Sequence, residues 1–276
     1  MPNSLSNLPR VASNPPPSAS TFRLPEIRPI AWNTSLEWLR SAWADMRSMP
    51  VASLFYGIVL TAIGVASWTL VESTSYKIAL ASGVILIGPF LAGGLCDLSR
   101  SGTESRKSSL LHSLTAWKHN ALAISLFGIV LVILLGLWSR TFVVLIAIYF
   151  AGEIPEMPVA VEMILGSTRG WVFIFLYSLA GSFFAAFVFA ISTVTIPLLL
   201  DRADFDVPLA VVVSFKAAWR NRNGMVLWAL LIVALMAIGF ATRYIGFVFI
   251  LPLLGHATWH SYAEMIERPD RKNPGN

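Results

Sequence analysis

The chain has 276 residues, of which 56% are hydrophobic and only 13% charged, and its mean hydropathy is +0.68. A soluble domain carries about 25% charged residues, so a water-soluble globular protein is excluded and a multi-span membrane protein is predicted. The net charge of +5 does not indicate nucleic acid, because the Lys and Arg residues are spread between the apolar runs. Cys96 is the single cysteine, which excludes an intrachain disulfide and a thiolate metal cluster.

The two ends of the chain are polar. Residues 1–34 are rich in Pro, Ser and Asn and have no apolar run after Met1, which predicts a disordered cytoplasmic tail without a cleavable signal peptide. Residues 268–276 are predicted to form a second cytoplasmic tail. The region between them, 35–267, is predicted to be the membrane domain.

Six apolar stretches of this domain predict helices that cross a bilayer, since a span needs about 20 residues. They cover residues 51–71, 78–95, 121–151, 171–200, 225–241 and 244–260. The third would be about 46 Å long, and we expect one helix that overhangs the membrane, with Arg140 near the interface. The fourth carries small residues every four positions, which predict a helix-packing ridge. They are Ser178, Ser182, Ala186 and Ala190.

Three polar-edged segments precede the odd-numbered spans, at residues 35–48, 110–120 and 209–219. Each predicts an amphipathic helix along the membrane interface. In the first, four apolar side chains share one face: Leu36, Leu39, Trp43 and Met46. Residues 152–170, between spans three and four, predict either a short helix against the outer interface or a lid.

A common order of features predicts three internal repeats, at about residues 35–107, 108–206 and 207–267. In each repeat an Ala-Trp pair lies at the end of the amphipathic segment, and the second span contains a proline. The tryptophans are Trp43, Trp117 and Trp219, and the prolines, predicted to break the helices, are Pro89, Pro197 and Pro252. The fold class is therefore all-α: six transmembrane helices in three parallel hairpins, each preceded by an interfacial helix.

The basic residues indicate an orientation. With both termini in the cytoplasm, 16 of the 20 Lys and Arg residues lie on the cytoplasmic side. The other four are Lys77, Arg140, Arg169 and Arg243. The positive-inside rule therefore predicts cytoplasmic termini and three hairpins that enter from the same face.

Three stretches resemble a bacterial family of predicted integral membrane proteins, labelled domain of unknown function 2189. They are IPLLLDR at 196–202, SFKAAWRNRN at 214–223 and, most specifically, LPLLGHATWH at 251–260. The resemblance is expected to cover about residues 35–267. It implies the inner membrane of a Gram-negative bacterium and implies no activity, although some members carry the name of a cytochrome c oxidase subunit I.

His256 and His260 are the candidate metal or haem ligands, because a spacing of four residues places both rings on one helical face. If the repeats pack around an axis, Asp97 and Asp201 would join them in a polar mouth at the cytoplasmic end. The alternative is that the two histidines, with Trp259, anchor the helix among the lipid headgroups, as Trp43, Trp117 and Trp219 are expected to do. An oxidase is disfavoured, because haem and copper need several more buried histidines.

Three functions stay open from the sequence. No charged residue falls in the middle of a predicted span, which disfavours an ion-coupled pump, and no catalytic motif indicates an enzyme. A non-enzymatic structural or assembly protein is favoured, with the lipid bilayer and other membrane proteins or a second copy as partners. The alternatives are a channel or permease for a neutral or lipid-like molecule, and a metal- or haem-binding protein.

Overall fold

The computed structural model describes residues 24–69, 92–102, 109–150 and 162–268, and these residues form an all-α protein, as predicted. Among them, the pairing of Ile27 with Ile266 is an isolated β-bridge outside any strand. Pro89, most of the second predicted span and the first part of the segment at 152–170 lie outside the described residues.

The helices follow one another with short connections. They are α1 Thr34–Ser48, α2 Pro50–Thr69, α3 at residues 92–102, α4 Leu110–Ser113, α5 Ala121–Phe150, α6 at residues 162–165, α7 Thr168–Ser192, α8 Thr195–Asp201, α9 Val207–Arg220, α10 Arg222–Ala241 and α11 Phe247–Met265. A 3₁₀ turn, Ala116–Asn120, joins α4 to α5. The third predicted span is one continuous helix of 30 residues, as expected.

Three helical stretches of the described residues are long and apolar enough to cross a membrane: Leu110–Phe150, Thr168–Asp201 and Arg222–Ala241. A fourth results if α1 and α2, which meet at 106°, are counted as one bent span. The protein is thus polytopic by length and composition, while the count of six spans remains a prediction.

The outward surfaces of α5, α7 and α10 are apolar and exposed. Ile133 on α5, Phe183 on α7 and Val233 on α10 are 57%, 68% and 65% exposed. Large contiguous apolar surface is unfavourable in water, so these faces require the hydrocarbon of a lipid bilayer. Buried side chains concentrate instead on α1, α3, α8, α9 and the second half of α11.

Helix α1 packs against other helices through a face that only partly overlaps the predicted apolar face, and the contact of that apolar face with the membrane interface stays a prediction. Trp38, Ala42 and Met46 are buried against α11 and α10, whereas Leu36 and Trp43 are exposed. The reason is a specific polar contact, since the Trp38 indole Nε1 donates a hydrogen bond of 2.6 Å to Glu264 Oε2 of α11. Trp38 also meets the Trp228 ring edge to face at 5.7 Å.

The span Thr168–Asp201 is interrupted between α7 and α8, and α9 packs across the interruption. The Ser214 hydroxyl of α9 accepts a hydrogen bond from the Val194 amide and donates one to the Ala190 carbonyl. It therefore satisfies backbone groups that the break sets free. Pro197 lies in the first turn of α8, where its missing N–H costs nothing, so the break precedes it.

Helix α11 runs without a break through Pro252, so this proline is not a helix-breaking position. Proline removes the N–H that would bond to the Val248 carbonyl, and a neighbouring helix can cover such a freed group. Here Gly57 of α2 lies against that carbonyl, so close that a Cβ on Gly57 would come within 2.0 Å of the Val248 oxygen. The glycine permits the contact that compensates for the proline.

Most of the small-residue ridge of α7 does not pack against another described helix, and only Ala190 at its end is half-buried against the core. Ser178, Ser182 and Ala186 are exposed, and the face that meets α5 is aromatic instead. Tyr177 and Phe184 lie against Trp138, with ring centroids 5.2 and 5.6 Å apart, and Gly181 lies beside them. Large rings outcompete small side chains here because they fill the space between two long apolar helices.

The prediction that residues 1–34 form a disordered tail is wrong for residues 24–33. This segment, which we call the N-terminal strap, pairs with the end of α11: the Arg28 amide donates to the Met265 carbonyl at 2.8 Å. Asn221 holds it from the other side, accepting from the Ile30 amide at 2.9 Å and donating to the Arg28 carbonyl at 3.1 Å. The polar composition of the tail did not reveal these backbone bonds.

We expect Asn221→Ala to release the strap. The substitution leaves the Ile30 amide and the Arg28 carbonyl without their side-chain partner, at a cost of about 1–2 kcal/mol. Hydrogen exchange at the Ile30 amide should quicken about tenfold, while the neighbouring exposed Asn223→Ala serves as the control. Equal exchange in the two variants would show that Asn221 does not hold the strap.

Candidate functional site

His256 is the centre of a buried hydrogen-bonded chain that joins four helices. Its Nε2 lies 2.9 Å from the Ser53 hydroxyl of α2, and its Nδ1 lies 2.6 Å from the Ser99 hydroxyl of α3. Ser99 also donates a hydrogen bond of 2.7 Å to Asp45 Oδ2 of α1. Ser53, Ser99 and His256 are each 0% exposed. The ring is therefore fixed on both sides by hydroxyl groups from neighbouring helices.

Asp45 extends the chain to the second histidine. Its Oδ2 lies 2.8 Å from His260 Nε2, at a point where both side chains are 21% exposed. Burial raises the pKa of the Asp45 carboxyl, but the hydrogen bonds from His260 and Ser99 and the positive potential of both histidines outweigh it. The pKa of Asp45 therefore lies below its ordinary value of 3.8. His256 and His260 thus belong to one chain, linked by Ser99 and Asp45.

The hydroxyl protons decide where the imidazole proton lies. Because Ser99 donates to Asp45, His256 Nδ1 has to carry a proton and donate to the Ser99 oxygen. Nε2 accepts if the Ser53 hydroxyl points to it, and carries a second proton if Ser53 donates to the Met49 carbonyl at 2.9 Å. The geometry thus accommodates a neutral and a protonated ring.

A second polar group surrounds Arg100, one residue further along α3. Its Nη2 lies 3.1 Å from Asp97 Oδ1, and its Nη1 lies 3.9 Å from Asp201 Oδ1 of α8. Nη1 also donates to the Leu200 carbonyl at 3.1 Å. The carboxylates are almost fully buried, with side chains 3% and 2% exposed. A buried charge is tolerated only when it is paired, and Arg100 supplies the close positive charge for Asp97 and a more distant one for Asp201.

Asp201 connects this group to the end of α11. It accepts a hydrogen bond of 2.8 Å from the Tyr262 hydroxyl and one of 3.1 Å from Arg268 Nε. Burial, together with the adjacent Asp201 carboxylate, raises the pKa of Tyr262, so its phenol stays protonated. The Arg268 guanidinium also covers the ring of Trp259, 4.9 Å from its centre.

The structure brings the four residues of the predicted polar mouth to the same end of the bundle, in two groups held by α3. Arg100 pairs with Asp97 and Asp201, and Ser99 links His256 through Asp45 to His260. The described residues hold no group of three or more His, Cys, Asp or Glu side chains suited to a metal ion. Both nitrogens of His256 face serine hydroxyls. The role of His256 and His260 as metal ligands stays a prediction.

The tryptophans predicted as interfacial anchors lie in two environments. Trp43 and Trp219 are 42% and 69% exposed and Trp117 is half-buried, whereas Trp259 is 0% exposed. Trp259 therefore packs the protein core instead of meeting lipid headgroups. Its position next to Arg268 and Tyr262 explains the difference, because both residues close over the indole.

Sequence reasoning missed the partners that complete the site. Ser53, Ser99, Asp45 and Arg100 lie 100 to 215 positions from the residues they contact on α11 or α8, and single serines inside apolar helices carry no spacing signal. One signal was available for Arg100, since its spacing of three residues from Asp97 places both on one helical face.

The apolar outer helices and the polar inner end define the class: an integral, all-α membrane protein with several apolar helices. A family model described as "Predicted integral membrane protein (DUF2189)" matches residues 76–201, and this confirms the predicted resemblance to that family. The match spans a little under half of the chain and includes Asp97, Arg100 and Asp201. The stretch at 251–260 lies outside it, so the wider resemblance over 35–267 stays a prediction. No curated protein and no solved structure matches the chain.

The lowered pKa of Asp45 predicts a loss of stability in acid. A carboxylate with a lower pKa in the folded state contributes its full stability above the ordinary value, and this is lost as the pH falls through the folded value. We expect the wild type to melt at a higher temperature than Asp45→Asn at neutral pH, with the gap closing below pH 3.8. Melting curves in detergent test this, and a gap that is constant with pH would contradict it.

Proposed function

We propose that this chain is a non-enzymatic structural or assembly protein of the bacterial inner membrane. One observation carries the proposal: the side chains capable of chemistry are committed to one another. Both nitrogens of His256 contact hydroxyls, and Arg100 lies between two carboxylates. A catalytic acid, base or nucleophile has to reach a substrate, whereas Ser53 and His256 are fully buried. The His256 chain and the Arg100 group, together called the polar cluster, then fasten α1, α2, α3, α8 and α11 into one rigid unit.

Crosslinking in intact membranes, followed by purification in mild detergent, tests this role. We expect a defined partner or a defined oligomer. We further expect His256→Leu, which removes the central ring of the polar cluster, to weaken that crosslink. Arg243→Gln, in the turn before α11, is the control and should preserve it. A monomer without a crosslinked partner in every detergent tested would count against an assembly role.

We further propose six spans in three parallel hairpins, with both termini in the cytoplasm. Support comes from the three Ala-Trp pairs: Ala42, Ala116 and Ala218 are all buried, and the tryptophan after each is not. The basic residues supply the orientation. Reporter fusions after residues 69, 150 and 241 and at both chain ends test the arrangement. The three internal fusions should report the periplasm, and an end that reports the periplasm would overturn it.

A permease for a lipid-like molecule is the second candidate, favoured by a cavity of about 470 Å³ between α5 and α7. Its walls are apolar, with Leu134, Trp138 and Phe184 among them. Cavities of this size accept drug-sized ligands. Uptake of a fluorescent lipid into proteoliposomes should then fall with Gly181→Leu, which fills the cavity, and stay unchanged with Gly136→Leu on the same pair of helices. Equal uptake by empty liposomes would exclude this function.

Metal or haem binding by His256 and His260 is the third candidate. Its support is that two groups of the kind that bind metals lie next to each other. Asp45 Oδ2 of a carboxylate and His260 Nε2 of an imidazole are 2.8 Å apart. Metal analysis and an absorption spectrum of the purified protein test it, with a His256→Ala, His260→Ala variant for comparison. A metal-free wild type without a haem band after growth in supplemented medium would rule it out.

A further inference from the structure

Helix α9 has a clean division into a buried and an exposed face. Its buried positions are Val207, Ala210, Val213, Ser214, Ala217 and Ala218. Its exposed positions combine large apolar and cationic side chains: Val212, Phe215, Lys216, Trp219 and Arg220. The rings of Phe215 and Trp219 stack at 6.3 Å with their planes 9° apart, and Trp219 is 69% exposed. Such a face is unfavourable in water and needs a partner that is apolar on one side and anionic on the other.

The charge on this face is of one sign. Lys216 and Arg220 lie on it and Arg222, the first residue of α10, follows directly; all three are exposed. The sequence contains no acidic residue between Asp206 and Glu264. The corresponding helix α1 differs, because its exposed Arg40 and Arg47 share the helix with Glu37 and Asp45. The cationic face of α9 is therefore not neutralised by acidic neighbours in its own part of the chain.

The face is held rigidly. Asp206 caps the helix by accepting the Leu209 amide at 3.1 Å, and Ser214 fastens the opposite side to the α7–α8 break. A pre-organised surface loses little entropy on binding, so its side chains are available at low cost.

We propose that the exposed face of α9 binds anionic phospholipids in preference to zwitterionic ones. Lys216, Arg220 and Arg222 contact the headgroup phosphate and its net negative charge, while Phe215 and Trp219 enter the boundary between headgroups and acyl chains. Each cation contributes about a fivefold preference, so the three together give a preference on the order of 100-fold. The inference does not depend on which function the protein performs.

The test is retention of defined lipids by the full-length protein. The protein is purified in mixed micelles with equal phosphatidylglycerol and phosphatidylcholine, and the lipids that remain bound are measured by native mass spectrometry. We expect the wild type to retain phosphatidylglycerol, and the Lys216→Gln, Arg220→Gln, Arg222→Gln variant to lose most of the preference. Arg40→Gln, Arg47→Gln is the matched control on α1 and should keep it.

Two further measurements separate the contributions of apolar contact and of phosphate binding to lipid retention. Phe215→Ala, Trp219→Ala should reduce retention of both lipids and leave their ratio unchanged, because it removes apolar contact only. Inorganic phosphate should not displace the lipid, since it lacks the acyl chains. The melting temperature of every variant should stay near that of the wild type, because the altered side chains are exposed.

Several outcomes would overturn the proposal. These are equal retention of the two lipids by the wild type, an equal loss of preference in the α1 control, or displacement by inorganic phosphate. A crosslink from position 219 to a second copy or to another protein, obtained in intact membranes, would assign the face to a protein partner instead.

Discussion

We expect Gly57→Ala to separate α2 from α11 and to destabilise the protein by about 3 kcal/mol or more. The added Cβ would come within 2.0 Å of the Val248 carbonyl oxygen and 2.8 Å of its carbon. Both are backbone atoms of α11, so no side-chain rotation relieves the overlap. The helices have to move apart, and the contact between α2 and the carbonyl freed by Pro252 is lost.

The same movement would disturb the polar cluster, because Ser53 lies one turn before Gly57 on α2. Its hydroxyl is 2.9 Å from His256 Nε2, and a shift of α2 would lengthen this contact. We therefore expect the loss of stability to be accompanied by a changed environment of the His256 ring, which nuclear magnetic resonance of the labelled imidazole detects.

Gly136→Ala on α5 is the matched control for this experiment. A Cβ on Gly136 would meet no described atom within 4 Å, and alanine is favoured over glycine in a helix by about 1 kcal/mol. The control should therefore melt at the wild-type temperature or slightly above it. Equal melting temperatures for Gly57→Ala and the wild type would show that α2 and α11 do not approach as closely as described.

The second large effect is expected for Arg100→Met, which should lower the free energy of unfolding by about 3–5 kcal/mol. The substitution preserves most of the side-chain volume and removes the charge that lies between Asp97 and Asp201. Asp97 loses its close ion pair, whereas Asp201 keeps Arg268 and Tyr262. The penalty therefore arises mainly from the buried Asp97 carboxylate, which keeps only His112 Nε2, 3.6 Å from its Oδ2.

This origin makes a specific rescue possible. Arg100→Met combined with Asp97→Asn removes the uncompensated charge, and we expect it to recover at least half of the lost stability. Arg40→Met, in which the exposed arginine of α1 is replaced, should change the melting temperature by a degree or so. If the double variant is no more stable than Arg100→Met alone, the loss has another cause, such as the hydrogen bond from Arg100 to the Leu200 carbonyl.

Local features of the fold follow from the sequence, because they depend on neighbours along the chain. The extent of α5, the existence of α9 and the end of α10 all follow from apolar periodicity and length. The face that α1 buries does not, since Leu36 and Trp43 are as apolar as Trp38. What selects Trp38 is its hydrogen bond to Glu264, more than 200 residues away.

The candidate site also contains residues that the sequence reveals and residues that it does not. His256, His260, Asp97 and Asp201 stand out because charged or titratable residues are rare beside apolar helices. Their partners Ser53 and Ser99 do not stand out, because a hydroxyl within a membrane helix ordinarily bonds to its own backbone. Trp259 illustrates the opposite error: tryptophan near a helix end predicts an interface, yet Arg268 closes over it and makes it part of the core.

The pairing of Ile27 with Ile266 constrains the number of times that the chain between them crosses the bilayer. Backbone atoms that bond to each other occupy the same compartment, so the path from residue 27 to residue 266 starts and finishes on one side of the bilayer. Such a path traverses the bilayer an even number of times. Three traverses would leave the bonded ends on opposite sides, so the three long apolar stretches of the described residues are not by themselves a complete set of crossings.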